Sequence, residues 1–75
     1  MSSDDELVRS GKKFLTEGKF VDALGCFEQS LLADPTNPNV LNLKGTALRS
    51  LGRYDEALEC YNKSLELDPR DKDSS

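Results

Sequence analysis

An internal repeat constrains the fold of this chain more than any other feature of its sequence. Shifting the sequence by 34 positions places Gly11 on Gly45 and Gly18 on Gly52. The same shift aligns Phe20 with Tyr54, Ala23 with Ala57, Leu24 with Leu58, Cys26 with Cys60, Phe27 with Tyr61, Ser30 with Ser64, and Leu31 with Leu65. A period of roughly 20–50 residues is typical of stacked supersecondary units, none of which buries its apolar face alone. The sequence therefore predicts two copies of one unit.

Each unit is predicted to be a pair of α-helices. Apolar residues recur at helical spacing, for example at positions 20, 23, 24, 27 and 31. Gly18 and Gly52 interrupt this pattern, and glycine readily adopts the left-handed conformation that ends many helices. Pro35 and Pro69 are predicted to end the second helix of each unit, because proline disfavours helical geometry in the residue before it.

Two capping patterns predict where helices begin. Ser3 and Glu6 have the spacing of a capping box, which starts the first helix near Asp4. Asn37 is placed to cap the third helix, and Pro38 suits its first position. With the glycine and proline positions, these caps predict an all-α fold of four helices.

The repeated residues resemble the tetratricopeptide repeat family. The residues that carry the resemblance are Gly11, Phe14, Gly18, Phe20, Ala23, Phe27, Pro35, Gly45, Leu48, Gly52, Tyr54, Ala57, Tyr61 and Pro69. The resemblance implies two antiparallel helix pairs stacked as a fragment of a right-handed α-solenoid, with the first helix of each pair lining a concave groove. It places the domain at residues 4–69, with repeats at 4–37 and 38–69, and leaves 70–75 as a polar tail. It also implies a protein–protein interaction module.

Lys44 departs from the family pattern in a way that bears on function. It stands where the family has a large apolar residue, and its neighbours on the helix include Val40, Leu41, Ala47 and Leu48. The side chain either packs its stem and extends its amine to the edge of the groove, or marks a ligand site. The sequence leaves both interpretations open.

Composition excludes several classes of function. The chain has no histidine, which is the commonest general base, and two cysteines cannot close a zinc site without other ligands. A net charge of -4, with 14 acidic and 10 basic residues, disfavours nucleic acid as a partner. No apolar run approaches the roughly 20 residues of a membrane span, and the acidic N-terminus is unlike a signal peptide. We therefore expect a noncatalytic, intracellular and cytoplasmic protein, without cofactor or metal and with no membrane partner, whose Cys26 and Cys60 are free thiols.

Polar residues on the predicted groove side are the candidate binding site. Asn39, Asn42, Thr46 and Arg49 follow helical spacing and project to one side of the third helix, and Lys12 is predicted to lie on the same side of the first helix. Asparagine amides can bond to the backbone of an extended peptide, and the two cations can hold a carboxylate. We expect an acidic or polar protein or peptide partner. The alternative is an ordinary solvated helix face.

The two ends of the repeat pair differ in polarity. Val40, Leu43 and Ala47 are predicted to pack back onto the first unit, whereas the equivalent residues Glu6, Arg9 and Lys13 are charged and suit a solvated end. Leu24 and Leu31 are expected to be covered by the second unit. The predicted self-association face consists of Leu58, Tyr61, Leu65 and Leu67, which no third unit covers. The alternative function is therefore homodimerisation through this face, unless the chain is a fragment of a longer array.

Overall fold

The computed structural model describes residues 3–67, and it describes side chains from residue 6 to residue 67. The described residues form α1 (Ser3–Glu17), α2 (Phe20–Ala33), α3 (Pro38–Ser50) and α4 (Tyr54–Leu67), with no strand among them. The predicted all-α helical-repeat fold is confirmed. The cap predicted at Ser3, the stop predicted at Pro69 and the tail predicted at 70–75 depend on residues outside the described side chains.

Two glycines form the turns inside the helix pairs, as the sequence predicts. Gly18 has a φ of 80° and Gly52 a φ of 84°, in the left-handed region that favours glycine. The N–H of Lys19 then donates to the carbonyl of Phe14 at 2.8 Å, and the equivalent bond from Arg53 to Leu48 is 2.9 Å long. These bonds satisfy carbonyls at the ends of α1 and α3 that have no partner inside the helix.

The connection between the two pairs is closed by side-chain caps. The Oδ1 atom of Asn37 accepts hydrogen bonds from the N–H of Asn39 at 3.0 Å and from that of Val40 at 3.4 Å. Pro38 occupies the first turn of α3, where a backbone N–H is not required. In the same turn, Asp34 Oδ1 accepts from the N–H and the hydroxyl of Thr36. The cap predicted at Asn37 is therefore confirmed.

Each helix pair is held by an aromatic ring against a glycine. A Cβ atom added at Gly45 would lie 2.8 Å from Cε1 of Tyr61, and one added at Gly11 would collide with the ring of Phe27. The two contacts are related by the 34-residue repeat. Because both glycines lack a Cβ, the second helix of each pair can approach the backbone of the first.

The two pairs are joined through α2 and α3, which pack against each other. Val40 and Ala47 of α3 are buried in one cluster with Leu24 and Phe27 of α2, and Leu43 packs against that cluster. The predicted packing of α3 onto the first unit is confirmed. Contact between α1 and α3 is slight by comparison. This arrangement leaves an open groove between the first helices of the two pairs.

Candidate functional site

The groove between α1 and α3 has a volume of about 580 Å³. The residues that line it are Val8, Arg9 and Lys12 from α1, Asn37 before α3, and Asn39, Val40, Asn42, Leu43 and Thr46 from α3. Val40 is buried, and Val8 and Leu43 are half-buried. The groove therefore has an apolar floor with polar side chains along both walls.

Charge in the groove has one sign among the described residues. Arg9 and Lys12 lie on the α1 wall, and no carboxylate of residues 6–67 contributes to the lining. Both cations are exposed and form no ion pair with another residue of this range. A chain with a net charge of -4 thus places two cations at its groove that have no ion-pair partner within residues 6–67.

The opposite wall offers hydrogen-bonding amides. The side chains of Asn39 and Asn42 make no hydrogen bond to another residue in the described range, and both are exposed. Each amide provides two donors and one acceptor. A peptide backbone needs the same combination, because it presents one donor and one acceptor per residue. The wall can therefore pair with extended main chain.

Thr46 lines the groove, but its hydroxyl is already engaged. Its Oγ1 donates to the carbonyl of Asn42 at 3.0 Å and lies 3.3 Å from the hydroxyl oxygen of Tyr61. Because the single hydroxyl proton of Thr46 is used toward Asn42, the Tyr61 hydroxyl donates to Thr46. The threonine thus holds the Tyr61 ring in place against Gly45.

The structure brings together four of the five residues predicted for the groove. Lys12, Asn39, Asn42 and Thr46 line it, whereas Arg49 is exposed and does not. Arg9 lines the groove instead, although the sequence placed it only on the solvated end of the first unit. Its spacing of three residues from Lys12 puts both on neighbouring positions of one helix face, and this spacing was the signal that could have identified it.

The four residues of the predicted self-association face differ in exposure. Leu58, Leu65 and Leu67 are exposed, while Tyr61 is half-buried because its ring packs against Gly45 of α3. Leu67 follows Leu65 by two residues, which is about 200° around a helix, so it lies on the other side of α4. Tyr54, by contrast, is exposed and shares the helical spacing of Leu58 and Leu65.

Lys44 lies outside the groove. Its amine is 3.8 Å from Oε2 of Glu28 on α2, and its side chain is half-buried between α2 and α3. Lys44 is absent from the residues that line the groove. The open question from the sequence is thus answered in part, because the stem packs as expected but the amine meets α2 instead of the groove edge.

Three ionisable groups have pKa values that are shifted by their surroundings. Arg53 Nε and Nη2 donate to the two carboxylate oxygens of Glu56 at 2.6 and 2.8 Å, which lowers the pKa of Glu56 and raises that of Arg53. Burial raises the pKa of the Cys60 thiol. Cys60 and Cys26 are both free, as predicted. A thiol with a raised pKa is a poor nucleophile at neutral pH, because the thiolate is the reactive form.

Comparison with known families gives a match over the second helix pair. Residues 38–71 match the family model described as the tetratricopeptide repeat, a family that generally mediates protein–protein interaction. The matched segment includes all of α3 and α4. No curated protein matches the chain. Among residues 3–67, no helix combines the length and the apolar composition needed to cross a membrane.

Proposed function

We propose that this chain, whose residues 38–71 are a tetratricopeptide repeat, is a noncatalytic interaction module that binds an extended acidic segment of a partner protein. The segment lies in the groove between α1 and α3. Two repeats, at about 4–37 and 38–69, build this groove in the proposal. A cytoplasmic location stays a prediction.

One observation carries the proposal, namely the chemistry of the groove walls. Arg9 and Lys12 face the groove without a carboxylate partner in the described range, and Asn39 and Asn42 offer free amides on the opposite wall. The amides bond to the main chain of the segment, and the cations attract its carboxylates. Arg9 can hold a carboxylate through two parallel hydrogen bonds. The volume of the groove, about 580 Å³, falls within the range of roughly 300–1,000 Å³ that is usual for ligand sites.

The affinity of the acidic segment is expected to depend on both cations. An exposed ion pair is worth up to about 1 kcal/mol. Replacing Arg9→Glu together with Lys12→Glu should therefore weaken binding by at least about tenfold at low salt, which corresponds to about 1.4 kcal/mol. The probe is a fluorescein-labelled peptide of alternating acidic and small residues, titrated with the chain in a fluorescence anisotropy assay.

A matched control separates the groove from the overall charge of the protein. Lys13→Glu with Lys19→Glu changes the net charge by the same amount at two exposed positions outside the groove. We expect this variant to lose far less affinity than the groove variant. Equal losses in both variants would show that the peptide responds to net charge and would contradict groove binding.

Self-association is a second candidate function. The exposure of Leu58 and Leu65 on the outer side of α4 favours it, since burying one leucine stabilises by roughly 1.5–3 kcal/mol. A homodimer would bring these residues of two chains together. Sedimentation of the wild type beside Leu58→Lys with Leu65→Lys tests this candidate. A folded wild-type monomer at high micromolar concentration would exclude it.

A further inference from the structure

An apolar stripe of four residues runs along α4, and three of the four are exposed. Tyr54, Leu58, Tyr61 and Leu65 form this end stripe, with spacings of four, three and four residues that place them on one side of the helix. Tyr54 is 63% exposed, Leu58 58% and Leu65 38%. Tyr61 is half-buried against Gly45, so the exposed members of the stripe are the other three. Exposed large apolar side chains in such a row are typical of a surface that binds another helix.

The molecule itself contains a covered copy of the end stripe. Thirty-four residues earlier, α2 carries Phe20, Leu24, Phe27 and Leu31 at the equivalent positions. There Leu24 is only 7% exposed because α3 packs against α2, and Phe27 is fully buried between Gly11 of α1 and this same cluster. The covering helix presents Val40, Leu43 and Ala47, which are spaced by three and four residues. A helix with this apolar pattern therefore fits the end stripe.

The flank of the end stripe differs in charge from the flank of its covered copy. In α4, the residues that directly follow the stripe residues are Asp55, Glu59, Asn62 and Glu66, which we call the acidic rim. In α2 the equivalent residues are Val21, Gly25, Glu28 and Leu32, of which only Glu28 is charged. The acidic rim therefore carries three carboxylates where α2 carries one.

The covered copy also shows which charge a covering helix presents to this flank. Lys44 of α3 reaches Glu28 with 3.8 Å between Nζ and Oε2. The equivalent position on α4 is Asn62, with Glu59 three residues before it and Glu66 four residues after it, so both lie on the same side of the helix. A lysine or arginine at the position of Lys44 would thus meet two carboxylates.

We propose that the end stripe binds an amphipathic helix of a partner protein. That helix presents valine, leucine and alanine-sized residues at positions i, i+3 and i+7 to the stripe, and lysine or arginine side chains to the acidic rim. This surface is separate from the groove between α1 and α3, so the chain can hold two segments at once.

The acidic rim favours such a partner over a second copy of the chain. The spacings of four, three and four residues in the end stripe are the same in either chain direction. Two copies of the stripe could therefore pack as an antiparallel pair related by a twofold axis. In that pair, the two acidic rims face each other and repel. The other end of a second copy offers the exposed charged residues Glu6, Arg9 and Lys13. Residues 68–75 include no large apolar side chain that could cover the stripe.

The test uses two helical probe peptides that share the apolar face of α3. Both carry valine, leucine and alanine at the spacing of Val40, Leu43 and Ala47, and they differ only in having lysines or glutamates along the flank. Each is titrated against the 75-residue chain by fluorescence anisotropy at low and high salt. We expect the lysine peptide to bind at least about tenfold more tightly at low salt, and the difference to shrink as salt screens the charges.

Two variants locate the binding. The double variant Leu58→Ala with Leu65→Ala should bind the lysine peptide at least about tenfold more weakly. Glu59→Lys with Glu66→Lys changes only exposed side chains and should reverse the preference between the two peptides. Circular dichroism verifies that both variants keep their helices. As a further control, the groove variant Arg9→Glu with Lys12→Glu should bind the lysine peptide no more weakly than the wild type.

Three results would overturn the proposal. The first is equal affinity of the two peptides at low salt, or no binding of either. The second is a loss of lysine-peptide binding in the groove variant that the end-stripe variants do not show. The third is a wild-type dimer in sedimentation that Leu58→Lys dissociates, because a second copy would then be the occupant.

Discussion

Adding one methyl group at different glycines should change the stability of the protein in opposite directions. A Cβ at Gly11 collides with the ring of Phe27, which is fully buried and cannot move outward. A Cβ at Gly25 meets nothing within 4 Å. Both glycines lie within helices, so alanine gains about 1 kcal/mol of helix propensity at either site. The difference between the two variants therefore measures the contact with Phe27.

The change in the free energy of unfolding has two contributions, the gain in helix propensity and the cost of fitting the added methyl group. Overpacking a core costs about 1–3 kcal/mol, so Gly11→Ala, at the upper end of this range, should lower the free energy of unfolding by about 2 kcal/mol after the propensity gain. Gly25→Ala should raise it by about 1 kcal/mol. Gly45→Ala should lie between them, because Tyr61 is only half-buried and its ring can shift toward solvent at the cost of its hydrogen bond to Thr46.

Thermal unfolding followed by circular dichroism measures all three variants. In a domain of this size, 1 kcal/mol shifts the Tm by about 4–8 °C. We therefore expect Gly25→Ala to melt higher than the wild type and Gly11→Ala to melt at least about 8 °C lower. A Gly11→Ala variant as stable as Gly25→Ala would refute the argument, because it would mean that Phe27 does not pack against Gly11.

Two further predictions concern the ends of α3 and α4. Asn37→Ala removes the side-chain cap of α3 and should cost about 1 kcal/mol in denaturant unfolding; an unchanged midpoint would contradict the cap. The ion pair with Arg53 lowers the pKa of Glu56 below its ordinary value of 4.5. Its stabilisation is therefore present above that pH and is lost as the pH falls through the lowered pKa. Glu56→Gln should abolish this part of the acid dependence in a series of urea melts, and an unaltered pH profile would exclude the pair as its source.

The fold was predictable from the sequence because the determining signals are local and occur twice. Gly18 and Gly52 have the left-handed geometry that their positions suggested, and Asn37 caps the helix that Pro38 begins. The repeat also predicted that α3 would pack on the first unit. Each of these depends on backbone geometry or helical period, which a single sequence can reveal.

The candidate surfaces were predictable only in part, because they depend on how helices turn toward each other. Arg9 was predicted to be solvated and is exposed, yet it also lines the groove because α1 turns this edge toward α3. Arg49 follows the correct spacing but lies beyond the lining. The separation of Leu67 from Leu65, by contrast, follows from helical geometry alone. The exposure of Tyr54 agrees with the predicted lack of a third unit over α4, but the sequence analysis did not include this residue in the exposed face.

The most direct test of the proposed function is an NMR titration of the ¹⁵N-labelled chain with an extended acidic peptide. Asparagine side chains have their own resolved N–H signals, so Asn39 and Asn42 report directly on the α3 wall. The groove proposal predicts that these signals and the backbone signal of Arg9 shift with the acidic peptide, and need at least about tenfold more of a peptide in which amides replace the carboxylates to shift as far. Shifts confined to Leu58 and Leu65 of α4, or equal shifts with both peptides, would contradict binding of an acidic segment in the groove.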